Sequence, residues 1–155
     1  HASTLPLPDA LPIATNLGGR SNMVGAAAMG AVAFQKGLGG MHALSHPVGA
    51  VFNTHHGMTN AVVMPALLRF NRPAIETRIA SAAAYMGIDG GFDGFYDHVM
   101  KLRAELGVPD KLSALGVDAS AIDKLAAMAV EDPCAGGNPV ELTVEAAKAL
   151  YAECI

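Results

Sequence analysis

The chain has 155 residues, a formal net charge of −4, 52% hydrophobic residues and only 15% charged ones. That apolar fraction belongs to a packed interior rather than a disordered segment, and the length suits one domain burying about two-thirds of its unfolded surface. The Lys and Arg residues stand singly, which excludes a phosphate-tracking basic stripe and with it a nucleic-acid partner. The longest apolar run, Met23 to Phe34, falls short of the ~20 residues of a membrane span.

The first stretch, residues 1–20, carries Pro6, Pro8 and Pro12 without an apolar period, so a loose tail is expected there. Its STLPLPDALPI segment resembles translated sequencing-adapter DNA, so this tail is expected to be foreign to the domain. The domain proper is expected over residues 21–155. Ser21 or Asn22 caps an Ala-rich helix over Met23–Lys36, and Gly37-Leu38-Gly39-Gly40 breaks it. His42–Phe52 reads as a second helix with Pro47 in its early turns, followed by a turn at Asn53-Thr54.

Met58–Phe70 is expected as a third helix, and Pro73, placed as a first helical residue, opens a fourth that Gly87 ends near Met86. Phe92–Leu106 follows, with Phe92, Phe95, Val99, Leu102 and Leu106 on a core face. Asp118 caps Ala119–Val130, whose stripe is Ile122, Leu125, Met128 and Ala129, and Thr143 caps Val144–Cys154. No long period-two alternation occurs. The expected fold is therefore all-α, a bundle of about six or seven helices with short Gly/Pro turns. Met23, Met29, Met58 and Met64 read as core filler.

Four of the six histidines, His42, His46, His55 and His56, fall within fifteen residues. A single buried histidine is ordinarily a hydrogen-bonded core residue, but this density needs another reason. His42 and His46 share one helix face, and the Asn53-Thr54 turn returns His56 towards them, so a three-imidazole cleft is expected. Ala43 follows His42, so this is not the HExxH of a metalloprotease. Imidazole suits Fe, Zn, Ni or Cu, and no Asp or Glu lies between Asp9 and Glu76, so any carboxylate must come from distant sequence. Cys134 and Cys154 show no CxxC spacing and fit a reducing compartment.

The run GLGGMHALSHPVGAVFNTHHGMTNAVVMP, residues 37–65, closely resembles the signature of the iron-containing (group III) alcohol dehydrogenases, and DPCAGGNPVELTVEAAKALY, residues 132–151, resembles the same family's C-terminal segment. The resemblance covers about residues 20–155 and implies the helical, metal-binding C-terminal domain of an architecture shared with dehydroquinate synthase. It implies His42 and His56 as metal ligands for Fe(II), with Zn as the alternative. It also implies His46 as a catalytic neighbour and Phe34 and Cys134 as substrate-pocket residues; His55 stands where many members have Pro.

The two further ligands of the family, an Asp and a His four residues apart, have no counterpart, since Asp9 is followed four residues later by Ile13. Nor does a strand precede Gly37–Gly40, which therefore reads as room for close backbone approach rather than as a nucleotide loop. The intact protein is thus expected to be a cytoplasmic homo-oligomer exchanging hydride between a small alcohol or aldehyde and NAD or NADP, with these residues inactive alone. The rivals are a non-catalytic helical module that binds a metal or a partner, and a dehydroquinate synthase-like lyase.

Overall fold

A computed structural model describes residues 16–155, which fall into two compact units, one ending at Gly37 and the other spanning Leu38–Ile155. The structure of residues 1–15, where most of the expected tail falls, lies outside the described residues. In the first unit, helix α1 covers Leu17–Phe34 and is capped by Asn16, whose side chain accepts the Gly19 N–H at 2.9 Å. The helix therefore starts upstream of the Ser21–Asn22 cap expected from sequence. A satisfied cap at Asn16 outweighs the backbone entropy cost of Gly18 and Gly19. Met23 and Met29, read as core, are 45% and 75% exposed within a helix apolar on all sides.

The second unit is a bundle of five helices: α2 (Gly40–Phe52), α3 (His56–Met86), α4 (Gly91–Glu105), α5 (Ile122–Glu131) and α6 (Val144–Cys154). Short 3-10 turns at Leu112–Leu115, Ala119–Ala121 and Ala135–Gly137 join the later ones. Among the described residues there is no strand, and no helix is long and apolar enough to cross a membrane. The all-α expectation holds.

Helix α2 packs on α3 and α5, and α6 packs on α5 and α3. The core lies between them, built from Leu44 and Val48 of α2, Val63 and Leu67 of α3, Leu125 and Ala129 of α5, and Leu150 and Tyr151 of α6. The expected caps are in place: Asp118 accepts the Ser120 N–H, Thr143 accepts the Ala146 N–H, and Gly87 ends α3 with φ 74°. Asp118 starts a 3-10 turn that leads into α5, so the α-helix itself begins three residues later than expected.

Two further expectations are corrected. Pro73 does not open a helix, because α3 runs through both Pro65 and Pro73 for 31 residues. Pro73 has no N–H for the preceding turn, and the two residues before it are anchored through their side chains. Asn71 is buried in a reciprocal amide pair with Asn138, at 2.8 Å in each direction, and Arg72 bridges Glu76 and Asp93. In α4, of the stripe read as core only Phe92 is buried. Phe95, Val99 and Leu102 are half-buried and Leu106 is 41% exposed, because α4 packs mainly against α3 alone.

One polar bond ties α6 to the helix that carries His42. The fully buried Tyr151 donates its hydroxyl to the Leu44 carbonyl at 2.6 Å, and burial drives its pKa well above the ordinary phenol value. Tyr151→Phe is expected to lower unfolding free energy by about 1–2 kcal/mol, since a buried acceptor loses its partner while the ring packing stays. Urea unfolding with an unchanged m-value checks this.

Candidate metal and catalytic site

Helix α2 begins without a side-chain cap from its own N-cap residue, Gly39. Instead Asn138, far along the chain, accepts the Gly40 N–H at 3.1 Å, and its amide also donates to the Val140 carbonyl. A Cβ on Gly40 would stand 2.9 Å from both Asn138 Oδ1 and Leu67 Cδ1, which supports the sequence reading of these glycines as room for close approach. Pro47 sits inside α2 and leaves the Ala43 carbonyl without its i+4 donor.

The helix ends at Asn53, in the left-handed region with φ 53°, a conformation Asn tolerates better than most residues. The buried Thr59 then bonds Thr54 Oγ1 at 2.8 Å and closes the turn. His55 accepts the Met58 N–H through Nδ1 at 3.3 Å and so caps α3, which gives it a structural role beside the cluster.

This turn brings three rings together. Ring centroids lie 5.6 Å apart for His42 and His46, 5.2 Å for His42 and His56, and 5.5 Å for His46 and His56. His42 is half-buried, while His46 and His56 are exposed, so the cluster opens on the surface of its unit. Burial lowers the His42 pKa below 6.5, and the neighbouring His56 and His46 push the same way against a weaker pull from Asp132. Asn60, one turn beyond His56, places its amide nitrogen 2.9 Å from His56 Nε2, and its Oδ1 is buried without a partner.

Sequence reading missed Asp132. The residue before Pro133 is driven out of helical geometry, and Asp132 accordingly takes φ −65°, ψ 132° at the end of α5. Its Oδ1 accepts the Cys134 N–H at 2.8 Å in an Asx-type turn, and its Oδ2 lies 2.8 Å from His46 Nδ1. Burial pushes the carboxyl up, but the Cys134 N–H and His46 outweigh it, leaving Asp132 below its ordinary value. The carboxylate beside His46 therefore comes from 86 residues away. The only hint in the sequence was that Asp132 opens the second family-like run.

Cys134 is half-buried beside Asp132, and burial together with that carboxylate raises its thiol pKa. Phe34 closes α1 in the first unit and is 55% exposed. The three rings of the cluster lie with centroids 5.2 to 5.6 Å apart, and imidazole nitrogen is a donor type that Fe and Zn both accept.

Residues 6–155 match the family model of the Fe-containing alcohol dehydrogenase family, C-terminal, a match that starts upstream of the resemblance read from the sequence. The chain is 42% identical to the 4-hydroxybutyrate dehydrogenase of Cupriavidus necator over 131 residues, which is 79% of this chain and 34% of that protein. It is 34% identical to the lactaldehyde reductase of Escherichia coli K12 over 122 residues, 74% of this chain and 32% of that one. The alcohol dehydrogenase from Oenococcus oeni superposes with a TM-score of 0.88 at 26% identity, over 97% of this chain and 41% of that structure. The chain thus spans about a third of the length of the curated relatives it matches. It belongs to the iron-containing alcohol dehydrogenase family and corresponds to that family's C-terminal all-helical domain.

Proposed function

We propose that these residues form the metal-binding and proton-handling part of an NAD(P)-dependent alcohol dehydrogenase or aldehyde reductase acting on a small primary alcohol or its aldehyde. The convergence of His42, His46 and His56 within one family signature carries this reading. His42 and His56 would hold the ion, Fe(II) or else Zn, on their two faces of the helix-turn-helix. When bound, the ion would supply Lewis acidity at an alcohol oxygen, and a nicotinamide would supply the hydride acceptor.

The chain's own part is to prepare those groups. Burial and the neighbouring His56 and His46 lower the His42 pKa, which favours the neutral imidazole that metal ligation requires. His46, beside both rings but tied to Asp132, takes the hydroxyl proton as the alcohol becomes an aldehyde and returns it in the reverse direction. Cys134 is proposed to contact the substrate carbon chain.

The nucleotide-binding half and the remaining ligands would come from other sequence, so residues 1–155 alone are expected to show no turnover and only weak Fe(II) or Zn(II) binding. Two imidazoles leave most of a divalent ion's first shell to water. The test is aldehyde-dependent loss of NADH or NADPH absorbance with added Fe(II) under anaerobic conditions. It compares this chain with a fusion carrying the upstream half of the Cupriavidus necator relative. Turnover by the fusion and not by the short chain supports the reading; silence from both overturns it.

A further inference from the structure

We propose that Asp132 is a positioning residue for His46: it holds the imidazole in its Nδ1–H tautomer, so that Nε2 keeps the lone pair that receives a substrate proton. The catalytic consequence rests on the dehydrogenase reading above, whereas the tautomer itself does not.

Three observations converge. Both oxygens of Asp132 are committed, Oδ1 to the Cys134 N–H and Oδ2 to His46 Nδ1, each at 2.8 Å. The carboxylate side chain is only 12% exposed while the His46 side chain is 40% exposed, so the anchor is rigid and the ring it holds stays open to solvent and substrate. The bond also joins the end of α5 to α2, across 86 residues. An ionised carboxylate only accepts, so the shared proton of a neutral imidazole must sit on Nδ1.

His46, Asp132 and Cys134 also bring nitrogen, oxygen and sulfur donors within 4.8 Å of one another, a spacing that a metal could bridge. The hydrogen bond argues for positioning instead, because the Nδ1 lone pair needed by an ion is occupied by the proton given to Asp132.

Long-range 1H–15N correlation spectra of the histidine-labelled chain, recorded at about pH 8, above the ordinary imidazole range, read the tautomer directly. Neutral His46 is expected as Nδ1–H. Asp132→Asn is expected to reverse it: the Cys134 N–H retains the single amide oxygen, which turns the NH2 group towards Nδ1 and moves the ring proton to Nε2. Asp132→Ala is expected to give a mixture, with the amide shifts of α2 and α6 unchanged as evidence of folding. A wild-type Nε2–H form, or a tautomer indifferent to both substitutions, overturns the assignment.

In the active fusion, Asp132→Asn is expected to lower kcat about ten- to a hundredfold with little change in KM and with metal content retained. Reversed tautomer with unchanged kcat overturns the catalytic role. If the fusion itself is silent, the dehydrogenase reading fails while the spectra still decide whether Asp132 sets the tautomer.

Discussion

Replacing either His42 or His56 by alanine in the fused enzyme is expected to strip most of the bound Fe(II) or Zn(II) and to cut turnover by more than about a hundredfold. That exceeds the ten- to hundredfold typical of losing an outer-shell partner, because an ion with one protein nitrogen fewer must replace it with water. His46→Ala should differ in kind: metal content stays close to wild type while turnover falls by about two orders of magnitude, the scale of a lost general base.

The pH dependence follows from His42. Its pKa lies below 6.5 in the folded chain, so a proton begins to compete for this nitrogen only below that value. The neutral ring is the form the fold favours. The contribution of His42 to stability is therefore complete above pH 6.5 and is lost as the pH falls through the lowered folded value. Metal content after gel filtration at steps between about pH 5 and 8 should hold in the upper range and collapse at the acid end. Equal metal content in the wild type, His42→Ala and His56→Ala would remove these residues from the ligand set.

Gly137→Ala is expected to damage the fold at the entry to α2. A Cβ there would lie 2.1 Å from the Leu38 carbonyl oxygen, a backbone atom with no rotamer to escape into. Forcing them apart moves the segment that leads into α2, and with it the Asn138 side chain that holds the Gly40 N–H. The expected cost is about 3 kcal/mol, at the upper end for overpacking because backbone rather than a flexible side chain must yield.

Its neighbour supplies the control. A Cβ on Gly136 would meet nothing within 4 Å, so Gly136→Ala is expected to change stability by less than about 0.5 kcal/mol. Parallel thermal and urea unfolding of the two variants checks both numbers, and equal stability would show that the close approach at Leu38 does not constrain the chain.

The sequence by itself determined the local features whose causes lie within a turn or two. Thr143 and Asp118 start their helical segments because a side-chain oxygen meets an N–H two or three residues on, and Gly87 ends α3 because a left-handed residue costs glycine little. The meeting of three imidazoles was legible for the same reason. An i, i+4 pair shares a helix face, and an Asn-bearing turn soon afterwards leaves His56 few compact places to go.

Only the tertiary structure decided the rest. Helix α3 continues through Pro73 beside the Asn71–Asn138 pair, 67 residues apart in sequence, and the α4 face stays half-buried because mainly one helix covers it. The carboxylate for His46 was invisible for the same physical reason. Helical period and capping report contacts over a few residues, whereas Asp132 reaches His46 only after α5 has packed against α2 and Pro133 has turned the end of α5 out of the helix.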